Sequence, residues 1–201
     1  ITATKPTTLE AGTSNAFVIN PGVLTNFLVE AAAGGPIGTE TAGTPFSVKI
    51  TARDANNNTV TGFTGTVNIT STGTLSSGGG ATASFAIGVL ASHSVTFSNT
   101  GSFTITATKP TTLEAGTSNA FVVNPGTAVR INVETAPNGT GTVLPPQVLI
   151  SGNAITGFSV ARDTLNNFIA NIAADAWSLQ GVTGGVTAGD LIPSSDQKSA
   201  V

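Results

Sequence analysis

Residues 105–126 repeat residues 1–22 with a single change, Val123 standing where the first copy has Ile19. Residue 105 restarts what residue 1 began, so the period is 104 residues, the length of a small β domain. A near-identical repeat at domain length marks an array of copied modules. Its phase is a second constraint. The copy at 105–126 closes a module, so 1–22 reads as the closing strands of a truncated repeat. On the same phase, 23–126 is a complete repeat and 127–201 a diverged repeat lacking its final strands.

Strand patterning fills the complete repeat. Phe46-Ser-Val-Lys-Ile-Thr-Ala-Arg53 alternates strictly, with Phe46, Val48, Ile50 and Ala52 on one face. The same parity puts Val67 and Ile69, Val95 and Phe97, Phe103 and Ile105, and Phe121 and Val123 inward along later segments. Period-two alternation gives sheets with one buried and one wet face. Turn signals separate these runs at Gly34-Gly-Pro36, Asn56-Asn-Asn58, Ser77-Gly-Gly-Gly80, Asn99-Thr-Gly101 and Asn124-Pro-Gly126. With Phe27-Leu-Val29 and Ser84-Phe-Ala-Ile-Gly-Val-Leu90 as further strands, the module has about seven, an antiparallel β-sandwich. The fold class is all-β, and no stretch carries a 3.6-residue apolar period.

The remainder restarts the pattern. Val129-Arg-Ile-Asn-Val-Glu134 mirrors Asn26-Phe-Leu-Val-Glu30, and Phe158-Ser-Val-Ala-Arg-Asp-Thr-Leu-Asn-Asn167 mirrors the run from Val48 to Asn57. Trp177-Ser-Leu179 reads as the next core strand. Short Asn-Pro-Gly junctions at 20–22 and 124–126 limit the swing between modules, because proline fixes φ.

Ala42-Gly-Thr-Pro-Phe-Ser-Val-Lys-Ile-Thr-Ala-Arg-Asp-Ala-Asn-Asn-Asn58, Phe63-Thr-Gly-Thr-Val67, Ser94-Val-Thr-Phe97 and Gly101-Ser-Phe-Thr-Ile-Thr-Ala107 resemble tandem bacterial immunoglobulin-like (Big/invasin-like) repeats. Such repeats occur in large secreted surface proteins and adhesins. The resemblance implies immunoglobulin-like sandwiches in an exported, extended, non-enzymatic array at the cell surface. It names no ligand.

Composition narrows the chemistry. Charged residues make up 8% and the net charge is −3, so there is no basic footprint for nucleic acid. The absence of cysteine removes disulfides and thiolate chemistry. No apolar run approaches the ~18 residues of a membrane-spanning helix. The single histidine, His93, falls in register with Val95 and Phe97 without triad or metal-ligand spacing around it, so a structural role is expected and no catalytic residue is assigned.

Asp54, Asn56 and Asp163 are the metal candidates, since oxygen-bearing side chains alternate there. The EF-hand pattern fails, because Thr59 stands where glycine is required and Gly65 where the bidentate glutamate belongs. A turn tolerant of left-handed backbone explains both runs better, so no metal and no cofactor are expected. The acceptor patterns for glycosylation at Asn57, Asn68 and Asn138 follow from an Asn- and Thr-rich composition. A self-formed Lys–Asn bond has no support in the placement of Lys5, Lys49 or Lys109. The glycines at 78–80 lack the strand-to-helix context of a phosphate loop.

The expected function is a structural segment of an extracellular fibre, filament or adhesin stalk. The alternative is a carbohydrate- or protein-binding adhesin module acting through sandwich-end loops. That alternative requires aromatic or charged loops, whereas these loops carry Gly, Asn and Thr. Residues 1–22 add a route to assembly by strand complementation, through expected strands at 1–4 and 16–19 with Ile1, Ala3, Phe17 and Ile19 as the inserting residues. The partners are then neighbouring copies, in a homopolymer or a tandem array. Plain truncation, with the same strands supplied from one long polypeptide, explains the phase equally.

Overall fold

The structure is a computed structural model and describes residues 1–150 and 152–201. It opens with a two-stranded hairpin, β1 (Thr2–Thr4) against β2 (Ala11–Thr13). The complete repeat comprises β3 (Asn26–Ala31), β4 (Glu40–Thr41), β5 (Phe46–Arg53), β6 (Asn68–Ser71), β7 (Leu75–Ser77), β8 (Gly80–Ala81), β9 (Val89–Phe97), β10 (Gly101–Phe103), β11 (Ile105–Thr108), β12 (Ala115–Thr117) and β13 (Phe121–Asn124).

These strands form an antiparallel sandwich. One layer is the sheet β3-β5-β9-β7; the other is made of β12-β11-β6-β8 and of β10-β13-β4, in which β13 and β4 run parallel. The core between them joins Phe27, Val29, Val48, Ile50 and Ala52 to Val67, Ile69, Ile105, Ala107, Phe121 and Val123. Each of the larger side chains contributes about 1.5–3 kcal/mol by leaving water. Aromatic rings fill both ends of the core. Phe63 meets Phe27 and Phe85 edge-on, at centroid distances of 5.4 and 4.9 Å, and Phe97 stacks on Phe103 at 5.4 Å.

The expected alternation along β5 holds on its inner face, where Val48, Ile50 and Ala52 are buried. Thr51 departs from it. It points to the other face yet is buried, paired in register between Leu28 and Val89.

Two expected strands are redrawn. The run 84–90 is not one strand but a tight turn leading into β9: Ala86 and Val89 exchange backbone hydrogen bonds across Ile87 and Gly88, both at positive φ. That is the geometry of a two-residue hairpin turn, and it sends Ile87 into solvent. Gly88 is required there twice over, since a Cβ would stand 2.5 Å from the Val60 carbonyl oxygen. The run 102–106 is two strands. Thr104 breaks the ladder by donating its N–H to Thr72 Oγ1 at 3.0 Å, so β10 pairs with β13 while β11 pairs with β6 and β12. Short elements of this kind turn the seven strands expected into the eleven from β3 to β13.

The carboxy-terminal segment has its own sheet, with β15 (Gly157–Arg162) paired to β14 (Arg130–Glu134), β16 (Phe168–Asn171) and β17 (Ser199–Ala200). Its register aligns Phe158 with Lys49, since they face Glu134 and Glu30 respectively, one place away from the alignment read in the sequence. The inner face of β15 therefore offers Gly157, Ser159 and Ala161 where β5 offers Val48, Ile50 and Ala52. The expected core strand at 177–179 is absent. Trp177 lies outside any strand and donates its indole N–H to the Gln197 carbonyl at 3.0 Å.

Candidate functional site

The duplicated sequence folds in part the same way twice. In both copies Thr hydroxyls meet across the hairpin, Thr2 with Thr13 and Thr106 with Thr117. In both, the backbone N–H of Lys5 or Lys109 donates to the Glu10 or Glu114 carbonyl at 2.9 Å, and Leu9 or Leu113 takes a positive φ. The hairpin is thus specified by local bonds. The stretch beyond it depends on distant partners. Phe121–Asn124 is a strand with two neighbours, while 17–20 forms no strand. The closing strand expected at 16–19 has no partner strand among the described residues of this chain, and β1 pairs instead with Ala11–Thr13.

Exposure tracks pairing. Ile105, Phe121 and Val123 are at most 4% exposed, whereas Ile1, Phe17 and Ile19 are 83%, 60% and 83% exposed. Ala3 is exposed where Ala107 is fully buried. Asn119 shows what the second copy gains. Its side chain accepts the Ile37 N–H at 2.8 Å and donates to the Ile37 carbonyl at 2.9 Å, tying the closing segment to the loop before β4.

The Asp54 and Asp163 turns form the junctions. Asp54 accepts N–H bonds from Gly22 at 2.8 Å, from Asn56 and Asn58 at 2.9 Å, and from the Asn58 side chain at 3.1 Å. Asp163 accepts the equivalent four, from Gly126, Leu165, Asn167 and the Asn167 side chain, at 2.8–2.9 Å. Asn57 and Asn166 complete the turns in the left-handed region that asparagine tolerates. Four N–H groups converge on each carboxylate, and such donors repel a cation rather than ligate one. Asn56, the third metal candidate, takes part through its backbone N–H.

The Gly22 N–H, then the Asn58 side chain, holds the Asp54 carboxyl down to about 2 from its ordinary 3.8. Desolvation pushes Asp163 up, but the bonds from the Asn167 side chain and Gly126 outweigh it and leave it below the usual range.

Sequence reading found these turns but missed what they bind. Gly22 and Gly126 are the glycines of the two Asn-Pro-Gly junctions, so each aspartate fastens the linker that precedes its own module. The recurrence of Asp-x-x-Asn-Asn downstream of each Asn-Pro-Gly is the only signal the sequence holds.

The Asp163 turn is also braced. Arg162 donates to both oxygens of the buried Glu134, to the Asn166 carbonyl at 2.8 Å and to the Gly139 carbonyl at 3.2 Å. The Arg162 hydrogen bond lowers the Glu134 carboxyl, which further accepts from Asn132. In the first module Glu30 pairs with Lys49 at a partly exposed site instead.

His93 sits within β9, half-buried, with Nε2 donating to the Gly78 carbonyl at 2.8 Å. Lys109 approaches Glu114 at 3.7 Å. In the carboxy-terminal segment a groove of ≈ 690 Å³ is lined by Val133, Leu149, Ile150, Trp177, Ile192 and Val201, among others. Among the described residues no helix is long and apolar enough to cross a membrane.

No family model matches the sequence, and no curated protein matches it. Two solved structures are similar, both of surface layer protein SbsC, covering its domains 1-6 and its domains 4-9. The identities are 20% and 21%, over 96% and 90% of this chain and 22% and 26% of those chains, each with a TM-score of 0.35. This chain thus spans about a quarter of the length of either. At these values the likeness adds nothing to the functional argument, which rests on the residues themselves.

Proposed function

We propose that this chain is a non-enzymatic structural segment of an extracellular fibre, filament or adhesin stalk, built from immunoglobulin-like sandwiches in series. Neighbouring copies join by strand complementation. The observation that carries this reading is the double fate of one sequence. At 121–124 it pairs on both sides and completes a core; at 17–20 it leaves Phe17 and Ile19 in water. A closing strand gains its apolar contacts only on the body of a module, and an unpaired one is a template for another chain.

The carboxy-terminal segment supplies the other half of the contact. Val133, Ile192 and Val201 are 42%, 67% and 45% exposed around its groove, ready to receive an apolar strand. A strand donated by one copy to the body of another makes a heterologous contact, which propagates rather than closes. Charged residues are only 8%, which leaves little repulsion between copies. The extracellular setting rests on the sequence resemblance to secreted surface repeats.

Electron microscopy of the purified chain at rising concentration tests the reading. Filaments should form and should vanish when residues 1–22 are deleted, with the circular dichroism of the sandwich retained. Single particles at every concentration, or filaments that survive the deletion, would contradict it.

A further inference from the structure

We infer that the turn 163–167 is a clasp that holds the carboxy-terminal segment in one orientation on the end of the first module, making the junction stiff. The inference goes beyond the fibre reading and stands without it, because it concerns one pair of modules. Proline at 125 fixes its own φ and restricts Asn124 before it but does not itself fix Gly126, and mobility is the default between domains with a small interface. Additional contacts have to remove that freedom, and the turn makes them in two directions.

Backward, Asp163 accepts the Gly126 N–H at 2.9 Å and so binds the linker to its own module. Forward, Asn167 Nδ2 donates to the Ser98 carbonyl of the first module at 3.1 Å. Leu165 lies over Gly43, where an added Cβ would stand 3.2 Å from Leu165 Cδ1. The receiving loop is itself anchored. Ala42 donates its N–H to the Asn124 carbonyl at 2.9 Å and Gly43 donates to the Phe97 carbonyl at 2.8 Å. The clasp therefore grips the ends of β9 and β13, the second of which leads into the linker.

The turn is held from behind as well. Arg162 fixes the Asn166 carbonyl while paired with buried Glu134, and Arg130 donates to the Asp163 carbonyl at 3.2 Å. A turn so braced transmits orientation instead of yielding. The first module carries the same turn at 54–58 with the same backward bond to Gly22, and its tip is exposed. It serves as the internal control: Asn58 holds Asp54 as Asn167 holds Asp163, and among the described residues its side chain bonds to Asp54 alone.

The chain has no cysteine, so Ser92→Cys and Ser195→Cys, both at exposed positions, accept a specific pair of spin labels. Pulsed electron paramagnetic resonance then reads the distance distribution between the modules. The doubly labelled chain should give one narrow distribution. Leu165→Ser and Asn167→Ala should each roughly double its width, as expected when a small interface is lost. Asn58→Ala should leave it unchanged. Leu165 is 44% exposed, so its substitution leaves the fold intact and decides the matter even where Asn167→Ala disturbs the turn. A broad distribution in the unsubstituted chain, an unchanged width in Leu165→Ser, or equal broadening by Asn58→Ala would overturn the inference.

Discussion

Gly116 lies so close to Phe27 that a Cβ on it would stand 1.7 Å from the Phe27 carbonyl oxygen. This contact lays β12 across the end of β3 and closes the sandwich over Phe27. Gly12, the same residue in the first copy of the repeat, would place a Cβ with nothing within 4 Å. Gly116→Ala should therefore unfold or severely destabilise the first module. Gly12→Ala should be neutral, or stabilise by up to about 1 kcal/mol through the unfolded state. Denaturant titration of the two variants checks the contrast.

Phe121 and Phe17 give the same comparison for burial. Phe121 touches Phe46 and Phe97 edge-on, at 5.7 and 5.6 Å. Phe121→Ala should cost about 3–5 kcal/mol, as for other large-to-small changes in a packed core. Phe17→Ala in dilute protein should change stability by no more than about 0.5 kcal/mol. Equal losses from the two would contradict the burial assignment.

Much of the fold was legible in the sequence. Strict alternation marked β5 to the residue, and parity placed Phe97, Ile105, Phe121 and Val123 in the core. Failures came where backbone geometry overrode side-chain pattern. Ile87 belongs to an apolar run but occupies a left-handed turn, which Gly88 beside it makes possible. Thr104 keeps the alternation of its neighbours while its hydrogen bonds move the chain between sheets. The strand expected at 16–19 is a matter of partners: Phe17 has none among the described residues, while the identical Phe121 pairs with Phe103 and its strand also meets β4. The junction was the least legible part. Asp54 and Asp163 read as turn residues, but their bonds to Gly22 and Gly126 span 32 and 37 positions and leave no periodic trace.

The Asp54 turn makes the fold sensitive to acid. A carboxyl held down to about 2 in the folded state, against an ordinary 3.8, contributes stability that is fully present above the higher value. That contribution is lost as pH falls through the lower one. Stability should decline between about pH 4 and pH 2, and Asp54→Asn should be less stable at neutral pH with a flatter profile across that window. An Asp54→Asn profile parallel to that of the original chain would refute the assignment.

Glu134 and Arg162 form a buried, bidentate pair, and removing one partner strands the other charge. Glu134→Gln or Arg162→Met should each cost the carboxy-terminal segment about 3–5 kcal/mol. Replacing both residues with apolar ones should recover a large part of the loss. Denaturant titration monitored by Trp177 fluorescence reports on this segment, because the chain has one tryptophan. A double substitution as damaging as the sum of the single ones would show that the pair is not coupled.

In the proposed assembly, residues 17–20 become a closing strand on the body of another copy. Amide hydrogen exchange at Val18 and Ile19, compared with Val122 and Val123 in the same sample, tests it most directly. Exchange at Val18 and Ile19 should be rapid in dilute protein, with protection rising toward that of Val122 and Val123 as concentration and filament content increase. Filaments that form while Val18 and Ile19 stay unprotected would contradict it.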